Sequence, residues 1–298
     1  MTAKGVEQQA SGTAVGTAFL RALAHREFGD ARLGPDRLAR HFLPVHLSLL
    51  VRFARKRTVA RIKRRVPLGM YEFMMARTAF FDGLFLDALK NGTPQIVLLG
   101  AGYDTRAYRF ADRNQRSRII ELDISTTQAR KRGCLKRAKI SIPGWVAMAS
   151  IDFNRESIPA VLEKAGYDPG AKTLFLWEGV SYYLEPASVD ATLEAVRANT
   201  HKESLIAFDY AARVPLERLG QVHGALELIR SMQKRHPGEK TQFAVGDGEM
   251  GSFLEQRGLA MREHWDDQEM AASFLSDKNG PLTGPVTGLL RFVTASPA

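Results

Sequence analysis

A doubly wound α/β fold, with a mostly parallel sheet and helices on both faces, is the class this sequence predicts. Three observations carry the expectation. From Gln95 onward, short apolar runs alternate with helix-length segments, the order that a parallel sheet with crossover helices requires. Gln95-Ile96-Val97-Leu98-Leu99 reads as a strand buried on both faces and runs straight into Gly100-Ala101-Gly102, where missing side chains let a ligand approach the backbone. The ends of four successive strands carry glycine or a carboxylate: Gly100 and Gly102, then Asp123, Asp152 and Glu178. Ligands of such sheets lie at those carboxyl ends, near the point where the strand order reverses.

Taken in order, residues 1–11 are polar and expected to be disordered. In 12–24, Val15, Phe19, Leu20 and Leu23 recur at helical spacing. Helices continue over 30–65, broken by Gly34-Pro35 and Pro44, and Pro67-Leu68-Gly69 ends this section. Within it, 52–65 (RFARKRTVARIKRR) alternates basic residues with Phe53, Val59 and Ile62 and reads as an amphipathic helix with a basic face. Residues 70–89 predict a helix with Phe73, Met74, Ala76, Phe80, Phe81 and Leu84 on its core side. Arg77 sits in that stripe and needs a partner if buried.

After the turn Asn91-Gly92-Thr93-Pro94 comes the first strand, and Asp104 and Thr105 offer caps for a helix starting near Arg106. Further strands are expected at 118–121, 145–149, 173–177 and 204–208, with helices at 126–139, 157–165 and 186–198 between them. Residues 216–235 and 250–256 read as helices. Residues 259–264 and 289–294 read as strands that add an antiparallel edge. The organisation expected is one domain over 1–298, with a helical N-terminal cap at 12–69 and a lid-like insertion at 211–250.

Composition narrows the class. The 298 residues are 45% hydrophobic and 25% charged, as in ordinary globular proteins. A single cysteine, Cys134, excludes an internal disulfide and suits a reducing compartment. Residues 1–12 lack the apolar segment of a signal peptide, and the apolar run around 42–53 is interrupted and too short to span a bilayer. The expectation is a soluble, cytoplasmic protein. The net charge of +10, concentrated in 52–65, leaves a solvated helix face or a peripheral contact with anionic surfaces open. No nucleic-acid partner is expected, since no aromatic-rich basic strand accompanies the patch. The histidines offer no metal spacing: His41 and His46 lie five apart across Pro44, so no metal is expected.

The residues beside the glycine turn discriminate between nucleotides. Asp123 follows Gly100 by 23 residues, close to the spacing at which a carboxylate meets a ribose hydroxyl pair. A dinucleotide fingerprint wants a third glycine where Thr105 stands, and Asp104 puts a carboxylate where a pyrophosphate would sit. A phosphate-free nucleoside with a cationic head fits better, and S-adenosyl-L-methionine is such a ligand. Its carboxylate needs a cation such as Arg77.

Beyond these single residues, the sequence resembles the leucine carboxyl methyltransferase family. The likeness lies in ARTAFFD (76–82), LLGAGYDTRAYRF (98–110), IELD (120–123), IDFN (151–154), EGVSYYL (178–184) and RFVTA (291–295). The resemblance implies a seven-stranded Rossmann-like methyltransferase sheet with an antiparallel C-terminal strand. It implies that Arg77 pairs with the cofactor carboxylate and that Gly100, in the Gly100-Ala101-Gly102 turn with Asp104 and Thr105, approaches the methionine portion. Asp123 would bind the ribose, Asp152 and Phe153 the adenine end, and Glu178 the ammonium. Trp177 stands where the family usually has a small residue, so a reshaped pocket floor is expected.

The activity expected is methyl transfer from S-adenosyl-L-methionine to an oxygen, most simply a carboxylate of an anionic small-molecule or carrier-bound acid, which needs no general base. A hydroxyl acceptor would need help from Tyr183, Glu178 or a histidine such as His223, although Tyr182 and Tyr183 suit packing as well as catalysis. A nucleotide-dependent oxidoreductase and a non-catalytic binding protein remain the alternatives.

Overall fold

Five parallel strands make one side of the sheet; the four inner ones are mostly apolar segments covered on both faces, and the remaining one, at the edge, is only half-buried. They are β1 (Gln95–Leu99), β2 (Arg118–Asp123), β3 (Val146–Ser150), β4 (Thr173–Trp177) and β5 (Leu205–Arg213). The computed structural model describes residues 12–30, 32–235 and 241–298. The disorder expected for 1–11 falls outside the described residues.

The helices before the sheet are α1 (Gly12–Phe28), α2 (Val45–Phe53), α3 (Lys56–Lys63) and α4 (Met70–Lys90). Between the strands lie α5 (Arg106–Arg109), α6 (Ser125–Arg137), α7 (Ile158–Lys164) and α8 (Pro186–Ala198). The last third adds α9 (Ala225–Arg235), β6 (Val245–Gly246), α10 (Met250–Glu255), β7 (Leu259–Trp265) and α11 (Asp267–Phe274). A small hairpin, β8 (Ser276–Asp277) with β9 (Gly280–Pro281), precedes the final strand β10 (Leu290–Pro297).

The spatial order is β3-β2-β1-β4-β5-β10-β7, with β6 paired to the end of β5. Strand β10 runs antiparallel between β5 and β7, so the expected antiparallel pair forms, with β7 at the edge. The order reverses between β1 and β4, both of which pair in parallel with their neighbours. A crevice therefore opens above Leu99 and Trp177.

Period-two alternation divides the strands between two cores. Ile96, Leu98, Leu174 and Leu176 pack with α1 and α4 on one face. Val97, Leu99, Phe175 and Trp177 pack on the other. Trp177 is fully buried with its ring centroid 5.6 Å from that of Phe208. It therefore does not form the pocket floor as expected: alternation sends it to the far face and presents Leu176 instead. On the α4 side, Phe80 stacks on Phe292 with centroids 4.8 Å apart, and each such buried ring contributes about 2–3 kcal/mol.

Three elements depart from the sequence reading. Residues 52–65 are not one helix, because the backbone is extended at Ala54 (ψ 127) and Arg55 (ψ 163). The Arg26 Nε donates to the Ala54 carbonyl at 2.9 Å, occupying the acceptor that a continuous helix would offer to Thr58. The helix expected over 216–235 is broken at Gly224, whose φ of +69 brings it against the Leu68 carbonyl, where a Cβ would lie 2.0 Å away. Helix α11 was not expected, although Asp266 and Glu269 form a complete capping box at its start.

Candidate cofactor and acceptor site

The turn after β1 is shaped by its glycines. Gly100 has φ +72, and a Cβ there would stand 2.5 Å from Val180 Cγ2. The Ala101 N–H donates to the Leu122 carbonyl at 2.8 Å, fastening the turn to β2. The Gly102 N–H donates to Asp123 Oδ2 at 2.6 Å, and Ile124 N–H donates to Oδ1 at 2.8 Å. Asp123 is thus held at the end of β2 by two backbone donors. Burial nevertheless raises its carboxyl above the usual range, with those donors only partly offsetting the effect.

A cavity of about 250 Å³ opens over this turn. Of the residues selected from the sequence, Arg77, Gly100, Ala101, Gly102, Asp104, Asp123, Phe153, Glu178 and Tyr183 line it. Thr105 and Asp152 do not. The Thr105 hydroxyl donates to Asp36 Oδ2 at 2.7 Å, which binds the α5 turn to the N-terminal section. Asp152 accepts from the Asn154 N–H at 2.9 Å and so organises the loop that carries Phe153. Asp104 caps α5, accepting from the Arg106 N–H at 2.7 Å. Thr105, though at the N-cap position, makes no side-chain cap bond.

Arg77 arrives from α4 only 3% exposed. Its Nη1 donates to Asp209 Oδ2 at 3.0 Å, and its Nε forms an ion pair with Glu178 Oε1 at 3.0 Å. Glu178 Oε2 lies 2.8 Å from Arg106 Nη1. Burial works against the Arg77 charge, but Asp209 and Glu178 more than offset it and hold the guanidinium protonated. Burial raises the Asp209 carboxyl, with Arg77 opposing.

Several contributors carried no sequence signal because their partners are remote. Arg21 lines the cavity from α1 and donates from Nη2 to the Tyr103 carbonyl at 2.7 Å. Behind it, Asp36 and Asp82 alternate with Arg109 and Arg106 in a buried ionic lattice: Arg109 Nη2 meets Asp82 Oδ1 at 2.6 Å, and Arg106 Nε meets it at 2.9 Å. Burial pulls the Asp36 carboxyl up, yet Arg109 and Arg21 leave it below its usual value. Asp104 is likewise held low by Arg106 and Lys131 against the effect of burial.

The residues present fit S-adenosyl-L-methionine. Among the described residues, the charged side chains lining the cavity are Arg21 and Arg77 against Asp104, Asp123 and Glu178, so it offers partners to both the anionic and the cationic groups of the ligand. Glu178 Oε2 is buried without an aligned hydrogen bond, leaving acceptor capacity for an ammonium N–H. Phe153 adds a flat apolar surface to the cavity wall, of the kind an adenine ring could stack on.

A second cavity, of about 350 Å³, adjoins the first and shares Thr13, Thr17 and Tyr183 with it. Its wall is largely apolar: Phe19, Leu20, Met70, Met74, Leu228 and Leu290 contribute, and Arg65 is the charged side chain among the described residues lining it. The 211–250 segment supplies Ala211, Leu228, Ser231, Met232 and Thr241. Gln242 pins that segment to the turn after β4, donating from Nε2 to the Tyr183 carbonyl at 2.7 Å.

Sheet order, glycine turn and carboxylate-lined crevice define an S-adenosyl-L-methionine-dependent methyltransferase. The chain belongs to the leucine carboxyl methyltransferase family, whose sequence profile matches residues 14–197. It is 28% identical over 211 residues to a Bacillus subtilis (strain 168) protein named "Putative S-adenosyl-L-methionine-dependent methyltransferase YktD", covering 70% of this chain and 68% of that one. A Mycobacterium marinum protein also named for S-adenosyl-L-methionine-dependent methyl transfer, as putative, is 28% identical over 218 residues, covering 73% of this chain and 61% of its own length. A solved structure titled "putative methyltransferase from Thermobifida fusca YX" shares the fold, with TM-score 0.56 over 94% of both chains at 15% identity. These findings displace the oxidoreductase and non-catalytic alternatives. Among the described residues, no His, Cys, Asp and Glu cluster could hold a metal ion, and no helix is long and apolar enough to cross a membrane.

Proposed function

We propose that the protein methylates a carboxylate oxygen of a largely apolar small-molecule or carrier-bound acid seated in the second cavity. The observation that carries this reading is the placement of Arg65 in the wall of a largely apolar cavity that meets the cofactor cavity at Thr13, Thr17 and Tyr183. Bound S-adenosyl-L-methionine supplies an electrophilic methyl group and a neutral thioether leaving group. An ionised carboxylate needs no deprotonation, so the chain's task is alignment and exclusion of water. Arg77, Asp123 and Glu178 hold the donor. Thr13, Thr17 and Tyr183 border both ligands. The apolar wall holds the acceptor's body, and Arg65 adds positive charge to its surroundings.

The ionic contacts favour a holding role for Glu178 over that of a base, because both its oxygens face guanidinium groups. Burial raises the Tyr182 phenol well above its ordinary value, with Asp209 adding to the effect, so it stays protonated at neutral pH. Tyr183 is the group through which a hydroxyl acceptor would be served, and it is the reason to keep that second reading. Incubation with methyl-labelled cofactor and a panel of apolar carboxylic and phenolic compounds decides between them. A methyl ester is released by mild alkali. A base-stable product overturns the carboxylate assignment.

A further inference from the structure

Helices α2 and α3 pack on α1 through Val51, Ala54 and Val59, and their remaining surface combines two features that seldom coincide on a solvated face. Val45, Leu49 and Phe53 follow one another at i, i+4 spacing on α2 and are 76%, 47% and 69% exposed, giving an apolar stripe to solvent. Arg52, Arg55, Lys56, Arg57, Arg61 and Arg64 are exposed beside and beyond it. No Asp or Glu occurs from Val45 to Tyr71. Lys63 is partly neutralised by Glu27 of α1, 3.4 Å away; the exposed arginines and Lys56 repel one another and gain from an anionic partner.

We propose that the α2–α3 face docks on an anionic lipid bilayer, with Val45, Leu49 and Phe53 entering the headgroup boundary and the flanking arginines and lysines meeting lipid phosphates. Charge complementarity selects an anionic surface, and the apolar stripe selects a bilayer among such surfaces. Aliphatic side chains such as Val45 and Leu49 lose water contact in a headgroup layer, whereas the phosphate backbone of a nucleic acid offers them no apolar phase. The end of α3 and the turn after it also supply Ile62, Arg65 and Val66 to the wall of the second cavity. Docking therefore sets that cavity's wall beside the lipid surface, where an apolar acid would be concentrated. The proposal stands on surface chemistry and is independent of which acceptor is methylated.

The test is co-sedimentation of the full chain with vesicles of phosphatidylcholine alone and of phosphatidylcholine mixed with phosphatidylglycerol. Binding to the mixed vesicles only, weakened by added salt, is expected. Leu49→Gln with Phe53→Gln, and separately Arg52→Glu with Arg57→Glu, are each expected to lower partitioning by about tenfold or more. The control Lys136→Glu with Lys164→Glu, on α6 and α7, changes the net charge as much as the arginine pair does and is expected to have a smaller effect. Thermal unfolding confirms that each variant is folded. Failure to bind anionic vesicles at low salt overturns the proposal, as does a control pair as damaging as the helix variants. Displacement from vesicles by single-stranded RNA, with binding to that RNA insensitive to the Leu49 and Phe53 changes, would reassign the face to nucleic acid.

Discussion

Arg77 Nη1 and Asp209 Oδ2 meet at 3.0 Å between α4 and β5, on side chains 4% and 0% exposed. The other oxygen of Asp209 accepts from the Gly179 N–H at 2.6 Å. One carboxylate thus fixes both Arg77 and the turn that carries Glu178. Asp209→Asn keeps an acceptor for Gly179 but removes the charge, leaving Arg77 to Glu178 alone. Breaking a buried pair in this way costs about 3 kcal/mol. The expected outcome is a lower denaturation midpoint together with weaker cofactor binding by calorimetry. Unchanged stability would mean that Glu178 alone suffices to balance Arg77.

Asp123 is expected to give the cofactor site a pH dependence. Burial raises its carboxyl above the ordinary value of 3.8, so the free protein takes up this proton at a higher pH than the unfolded chain does. The group's contribution to stability is present below the unfolded value and lost as pH rises through the folded one. Cofactor binding has the opposite slope, since a ribose hydroxyl pair is best received by the ionised form. Affinity should fall as pH drops through the raised value, and Asp123→Asn should flatten that profile. Asp123→Ala should abolish binding; calorimetry showing wild-type affinity would remove the residue from the site.

Gly100→Ala tests the turn itself. The left-handed backbone at φ +72 costs a non-glycine residue roughly 1–2 kcal/mol, and the new Cβ would meet Val180 Cγ2 at 2.5 Å. Val180 also lines the cavity, so relief of that clash displaces a wall of the cofactor site. Lost affinity beyond what the drop in thermal stability explains is the expected result.

The parallel strands and the meeting of Asp123 with the glycine turn were legible because both depend on local pattern: apolar runs, a glycine turn, and an acid at a strand end. The parts that stayed hidden depend on groups far apart in the chain. The break between α2 and α3 hinges on Arg26 reaching Ala54, and no proline or glycine marks it. Thr105 reads as a cap from its neighbours, yet its hydroxyl is taken by Asp36 across 69 positions. Arg21, Asp82 and Asp209 look ordinary in sequence and become site residues only when α1, α4 and β5 converge. Trp177 shows the reverse error, a family comparison outweighing strand alternation that was already readable.

The second cavity can be tested without disturbing the first. Ser231 lies on α9 and contributes to the second cavity but not to the cofactor cavity. Ser231→Trp should fill acceptor space, raising KM for the acceptor or abolishing turnover while leaving cofactor affinity at the wild-type value. Turnover with unchanged acceptor KM would place the acceptor elsewhere.

Tyr183→Phe distinguishes a carboxylate acceptor from a hydroxyl acceptor. Tyr183 borders both cavities, and its ring meets that of Tyr182 edge-on with centroids 4.6 Å apart, so Tyr183→Phe preserves the apolar shape while deleting one hydroxyl. For a carboxylate acceptor no proton leaves during transfer, and kcat should change by less than about tenfold, with a flat rate profile above the acceptor's own pKa. For a hydroxyl acceptor the lost assistance should cost roughly 10²–10⁴ in kcat. Single-turnover rates at saturating cofactor separate the two, because they report the transfer step without product release. A collapse of the single-turnover rate with normal cofactor affinity would reject the carboxylate reading and make Tyr183 the proton acceptor.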